Sequence, residues 1–88
     1  MYEKEIYRQA LEKWGKIPQT IMLFEEMAEL QKELSKNLRG KDNIYSIAEE
    51  IADVEVMIEQ MKLLFEIEDD VKVWKYRKLK RLEERLRG

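Results

Sequence analysis

The chain has 88 residues, enough for one domain, and contains neither cysteine nor histidine. That excludes disulfide staples, thiolate zinc sites and imidazole catalysis, so any hydrolytic chemistry must rest on carboxylates, lysine, tyrosine or metal-bound water. Charged residues make up 41% of the chain, yet the net charge is only −2, so the distribution matters more than the sum.

Glycine and proline punctuate the chain sparsely. Gly15 is expected to close a first helix of roughly Glu3 to Trp14, and Pro18 to open a second, because proline is tolerated in a first turn. The second helix carries Ile21, Phe24, Met27, Ala28, Leu30, Leu34 and Leu38 and should end near Gly40. Asp42 or Asn43 can cap a third. There Ile44, Ile47, Ile51, Val54, Ile58, Met61 and Phe65 alternate in threes and fours, a heptad seam that predicts near-antiparallel packing against other helices. The pattern breaks around Glu68 to Asp70. A fourth helix is expected over roughly Asp70 to Leu86, with Val71, Trp74, Leu79, Leu82 and Leu86 as its apolar positions. No strand signal competes, so the reading is a small all-α, four-helix bundle spanning residues 1–88 as one domain.

Charge is segregated along these elements. Asp42 to Asp70 holds ten acidic residues and one basic, whereas Val71 to Gly88 holds eight basic and two acidic. The two segments are complementary and can meet within a subunit, across subunits or through a metal–polyphosphate ligand. No apolar run approaches the roughly 18 residues of a membrane span. The start, Met1-Tyr2-Glu3-Lys4-Glu5, lacks a signal-peptide pattern, so a cytoplasmic protein without membrane contact is the expectation. A domain of this size buries only about 60–65% of its unfolded surface. With no staple available, it is expected to gain stability by oligomerising.

Two acidic pairs carry the chemistry: Glu26-Met27-Ala28-Glu29 and Glu50-Ile51-Ala52-Asp53. A spacing of three puts both carboxylates of a pair on neighbouring positions of one helix surface. If the second and third helices pack side by side, four carboxylates converge, and they repel unless a hard, oxygen-loving cation such as Mg²⁺ or Mn²⁺ lies between them. On a helical wheel Glu50 falls about 60° and Asp53 about 120° from the centre of the third helix's apolar face. Glu26 and Glu29 lie off the second helix's main stripe, with Met22 on their side. The same pattern also suits a solvated helix edge, so the wheels leave both readings open.

The chain resembles the MazG-like family of all-α nucleoside triphosphate pyrophosphohydrolases, itself similar to dimeric dUTPases and phosphoribosyl-ATP pyrophosphohydrolases. The resemblance rests on Glu25-Glu26-Met27-Ala28-Glu29, a spacer of twenty residues, and Glu50-Ile51-Ala52-Asp53. Trp14-Gly15 and Gln19 precede the first motif, Leu30 follows it, Lys36 and Arg39-Gly40 lie in the spacer, and the likeness runs through Val54 and Gln60-Met61-Lys62, covering roughly Trp14 to Arg85. It implies hydrolysis of a nucleoside triphosphate to the monophosphate and pyrophosphate, with Glu26, Glu29, Glu50 and Asp53 as ligands of Mg²⁺ or Mn²⁺. Glu25 would orient or deprotonate the attacking water, or simply sit at the surface. Lys78 and Arg81, with Lys75 on the same face, would contact the triphosphate, or would form a solvated basic face with Glu83 and Glu84. Trp14 would stack on a base and Gln19 bond its edge, unless Trp14 belongs to the core. Lys36 and Arg39 are weaker phosphate candidates, since they also suit the second helix's C-terminus. Related proteins are homodimers or homotetramers with sites near the subunit contact.

Three other readings remain. The chain can be a non-enzymatic helical protein-interaction module, or a relative acting on phosphoribosyl-ATP or deoxypyrimidine triphosphates. Nucleic-acid binding by the basic last helix is opposed by the acidic middle and by the lack of a reader motif.

Overall fold

The structure, a computed structural model, describes residues 2–88. Among the described residues there are four helices and no strand: α1 (Tyr2–Trp14), α2 (Lys16–Leu38), α3 (Ile44–Phe65) and α4 (Glu68–Arg87). None of them is long and apolar enough to cross a membrane.

Gly15 separates α1 from α2 with φ of 86°, a left-handed conformation that glycine adopts without a Cβ penalty. Its N–H donates to the Leu11 carbonyl, ending α1, and its own carbonyl accepts from Gln19 N–H, beginning α2. Pro18 is therefore the third residue of α2 rather than its opener. It still lies in the first turn, where its missing N–H breaks no helical bond.

α2 and α3 form an antiparallel hairpin that holds most of the interhelical contact. Asn43 is the N-cap residue of α3, and its carbonyl receives the Ile47 N–H at 3.0 Å. Its side chain does not cap α3. It reaches back instead, and Nδ2 donates to both the backbone oxygen and the Oε1 of Glu33 at 2.8 Å, while Oδ1 accepts from Asn37. α1 packs across this hairpin through the half-buried Tyr7, Ala10 and Leu11.

The face of α3 that meets α2 differs from the expected seam. Ile47, Glu50, Val54, Met57, Gln60, Met61 and Leu64 are buried or half-buried, whereas Ile44, Ile51, Ile58 and Phe65 are exposed. The seam is split: its Ile47–Val54–Met61 half faces inward and its seven-spaced remainder faces out. Turning Ile44, Ile51 and Ile58 onto α2 would carry Gln60 away from Gln19 and unmake a buried hydrogen bond. Met57, 5% exposed, is the one buried apolar residue among the described residues.

α3 ends at Glu66, which adopts the left-handed region with φ of 55°. α4 then starts at Glu68, two residues before the expected Asp70. The acids Glu68, Asp69 and Asp70 occupy its first turn, where the helix dipole favours negative charge. Beyond that turn α4 stands off: it touches α3 and neither α2 nor α1 along its backbone, and every residue from Lys72 onward is exposed.

Candidate metal centre

The inward face of α2 reads Gln19, Leu23, Glu26, Leu30 and Glu33 in steps of four and three. That spacing keeps all five on one stripe facing α3. Midway along the hairpin, Glu26 meets Glu50 and Asp53. One carboxylate oxygen from each of these half-buried residues lies within 4.8 Å of the other two. Glu50 Oε2 is buried without a hydrogen-bond partner.

Burial and mutual repulsion load this cluster. Desolvation is the main force raising the Glu26 pKa, followed by the Asp53 charge, a hydrogen bond with Asp53, and the charges of Glu50 and Glu29. Desolvation likewise leads in raising Glu50, with Asp53, Glu29, Glu49 and Glu33 adding to it. The charges that act most strongly on both residues are carboxylates.

The donor set suits a hard divalent cation. All three groups offer carboxylate oxygen, the donor that Mg²⁺ and Mn²⁺ favour. A bound cation would also offer a partner to the orphaned Glu50 oxygen. Glu29, the fourth expected ligand, is exposed and stands outside the converging set, acting on Glu26 and Glu50 through its charge.

The other expected residues lie elsewhere. Glu25 is exposed beside Glu26. Trp14 is 54% exposed, and with Pro18, Gln19 and Met22 it lines an apolar pocket of about 340 Å³. Gln19 is buried, and its Nε2 donates to Gln60 Oε1. Lys75 lines a groove against α1 and α3, Lys78 sits 6.0 Å from the Trp74 ring centre, and Arg81 is exposed. A single chain therefore does not gather these cations at the carboxylates. Lys36 pairs with Glu33 at 3.1 Å, and Arg39 donates to Ser35 Oγ.

The inward roles of buried Gln60 and half-buried Glu33 went unassigned in the sequence, and Asn43 was read only as a cap. The signal for Gln60 and Glu33 was a seven-residue step: Gln19, Glu26 and Glu33 on α2, and Asp53 and Gln60 on α3.

Compared with known proteins, the chain matches no family model, no curated protein and no solved structure.

Proposed function

We propose that this protein is a metal-dependent nucleoside triphosphate pyrophosphohydrolase, converting a triphosphate and water into a monophosphate and pyrophosphate. The observation that supports it is the convergence of Glu26, Glu50 and Asp53 at the middle of the hairpin, half-buried and, among the described residues, acted on most strongly by other carboxylates. The likeness of the two acidic motifs to the MazG-like pattern directs the same centre toward phosphate chemistry. A bound Mg²⁺ or Mn²⁺ supplies charge neutralisation at the phosphate oxygens and acidifies a water.

The residues themselves hold the cation through Glu26, Glu50 and Asp53, and Glu29 adds negative charge beside them. The water oxygen joins the α-phosphorus, the α–β anhydride bond breaks and pyrophosphate leaves. The water's proton passes to a carboxylate, for which exposed Glu25 is the candidate next to the centre. Lys75, Lys78 and Arg81 are proposed to meet the phosphate tail as charge-assisted donors. Because one chain keeps them away from the carboxylates, the working unit in this reading is a homodimer or homotetramer. Trp14, beside its apolar pocket, is the proposed base platform. A cytoplasmic setting suits a cysteine-free protein acting on nucleotides.

The test is pyrophosphate release from a panel of ribo- and deoxynucleoside triphosphates and phosphoribosyl-ATP, with Mg²⁺, Mn²⁺ or EDTA, for wild type and Glu50→Gln. Metal-dependent pyrophosphate that vanishes in the variant is expected. Turnover of none of these by a folded protein would overturn the reading.

A further inference from the structure

The chain carries more surface than a finished fold of its mass. Its accessible area is 7400 Å², against about 5500 Å² for a compact chain of 10.7 kDa. Its radius of gyration is 15.9 Å, against about 12 Å for 88 compact residues. Two apolar rows lie on this surface. Along α4, Leu79, Leu82 and Leu86 follow a step of three and a step of four, and are 57%, 48% and 79% exposed. A helix of 20 residues held only near its start is marginal in water, so this stripe calls for a cover. Along α3, the seven-spaced row of Ile44, Ile51 and Ile58 is 65%, 41% and 41% exposed.

We propose that these two surfaces cover one another between two copies of the chain: the leucine stripe of α4 seats on the Ile44–Ile51–Ile58 row of a second copy's α3, and the second copy returns the contact.

Charge selects this pairing over the alternatives. The segment of α4 from Val71 carries eight basic residues against two acidic, and α3, leaving aside the inward Glu50 and Asp53, carries three acidic against one basic. Pairing α3 with α3 would oppose acid to acid, and α4 with α4 base to base. Crossing them joins opposite signs twice in one two-fold assembly. The fold also leaves the place open. α4 diverges from its own α3 after the turn at Glu66, and a groove of about 560 Å³ lies open there, where the acids Glu3, Glu55 and Glu59 and the base Lys75 flank Tyr7 and Ile58. The surplus of about 1900 Å² per chain exceeds the roughly 800 Å² that each partner of a stable complex buries.

The contact deepens the homo-oligomer of the proposed function by naming its surfaces. It stands on surface and charge alone, and its test reads no turnover, so it and the hydrolase reading fail separately. The cysteine-free chain makes the test direct. The 88-residue wild type should have twice the 10.7 kDa chain mass by light scattering, and Leu82→Glu should halve that mass while staying helical by circular dichroism. Ile51→Cys or Ile58→Cys, mixed with Leu82→Cys and treated with a short bis-maleimide, should give a cross-linked species of two chains. Wild type that stays a single chain at every concentration would overturn the proposal. So would a dimer in which neither isoleucine position links to Leu82→Cys, or a double variant, Ile58→Cys with Leu82→Cys, that links within one chain.

Discussion

Gln19 and Gln60 close on each other inside the hairpin, the Gln19 amide donating to the Gln60 carbonyl oxygen, seven residues from Glu26 on one helix and seven from Asp53 on the other. Both are buried, so each amide depends on its partner. Gln19→Leu or Gln60→Leu alone leaves a buried polar group unmatched, and each should cost about 1–3 kcal/mol. The double variant should cost less than the two single losses combined. Urea unfolding of the four proteins at one fixed concentration checks this, and simple additivity would remove the pair from the account of the fold.

Glu50→Gln takes one repelling charge out of the carboxylate centre. In EDTA at neutral pH the variant should melt higher than wild type. Adding Mg²⁺ or Mn²⁺ should then raise the wild-type melting temperature and leave the variant nearly unmoved. Loss of a direct ligand should lower metal affinity by more than the roughly 10–100-fold typical of an outer-shell partner. Equal metal responses in thermal melts would remove Glu50 from the ligand set.

The pH dependence has a defined sign. Glu26 and Glu50 have raised pKa values when folded, so the folded state holds protons that the unfolded chain has released. Their contribution to stability is fully present below the ordinary carboxylate pKa and is lost as pH rises through the raised values. Glu33 runs the other way. Hydrogen bonds from Asn43 and then Lys36 lower its pKa, so its contribution is present above the ordinary value and lost as pH falls through the lowered one. In metal-free melts between about pH 4 and 8, the advantage of Glu50→Gln over wild type should grow with pH and vanish at the acid end. An advantage that does not change with pH would contradict this.

Asn43→Ala removes the contacts that tie the start of α3 to Glu33. It should destabilise the protein by about 1–3 kcal/mol, because the Glu33 backbone oxygen loses its side-chain donor. The Glu33 carboxyl should also titrate closer to the ordinary range, which carboxyl-resolved NMR can follow.

Glu66→Gly should act in the opposite direction. Glu66 holds a left-handed backbone at the end of α3, a conformation that strains a residue with a Cβ. After the entropy glycine loses on folding, the gain should be about 0.5–1 kcal/mol. Thermal denaturation checks it, and a lower melting temperature would show that the Glu66 side chain contributes more than its backbone costs.

Helix boundaries set by local chemistry were legible in the sequence: Gly15 ends α1, Gly40 follows α2, and Asn43 precedes α3. The pairing of Glu50 with Asp53 on one helix surface was legible from spacing, whereas the wheel put Glu26 off the apolar stripe of α2 and the structure turns it inward toward them. The rotation of α3 was not. A wheel assigns the most apolar stripe inward, yet here Glu50 and Gln60 take inward places while Ile44, Ile51 and Ile58 face out. The inward face was chosen by specific polar matches across 41 residues of sequence, as between Gln19 and Gln60, and periodicity carries no record of such matches. The stand-off of α4 was equally hidden, since an amphipathic pattern states that a helix needs cover but not what covers it.

The alternation of polar and apolar steps along the hairpin acts as a key with one fitting position. Gln19 meets Gln60, Glu26 meets Asp53, and Glu33 meets Asn43, with Leu23, Leu30, Val54 and Met57 set between them. Sliding one helix by a turn would bring amides or carboxylates against leucine and leave them unmatched. The alignment that assembles the carboxylates is thus written on the inside of the hairpin, and the outer surfaces of α2 and α3 can be rewritten for new partners or substrates without moving it.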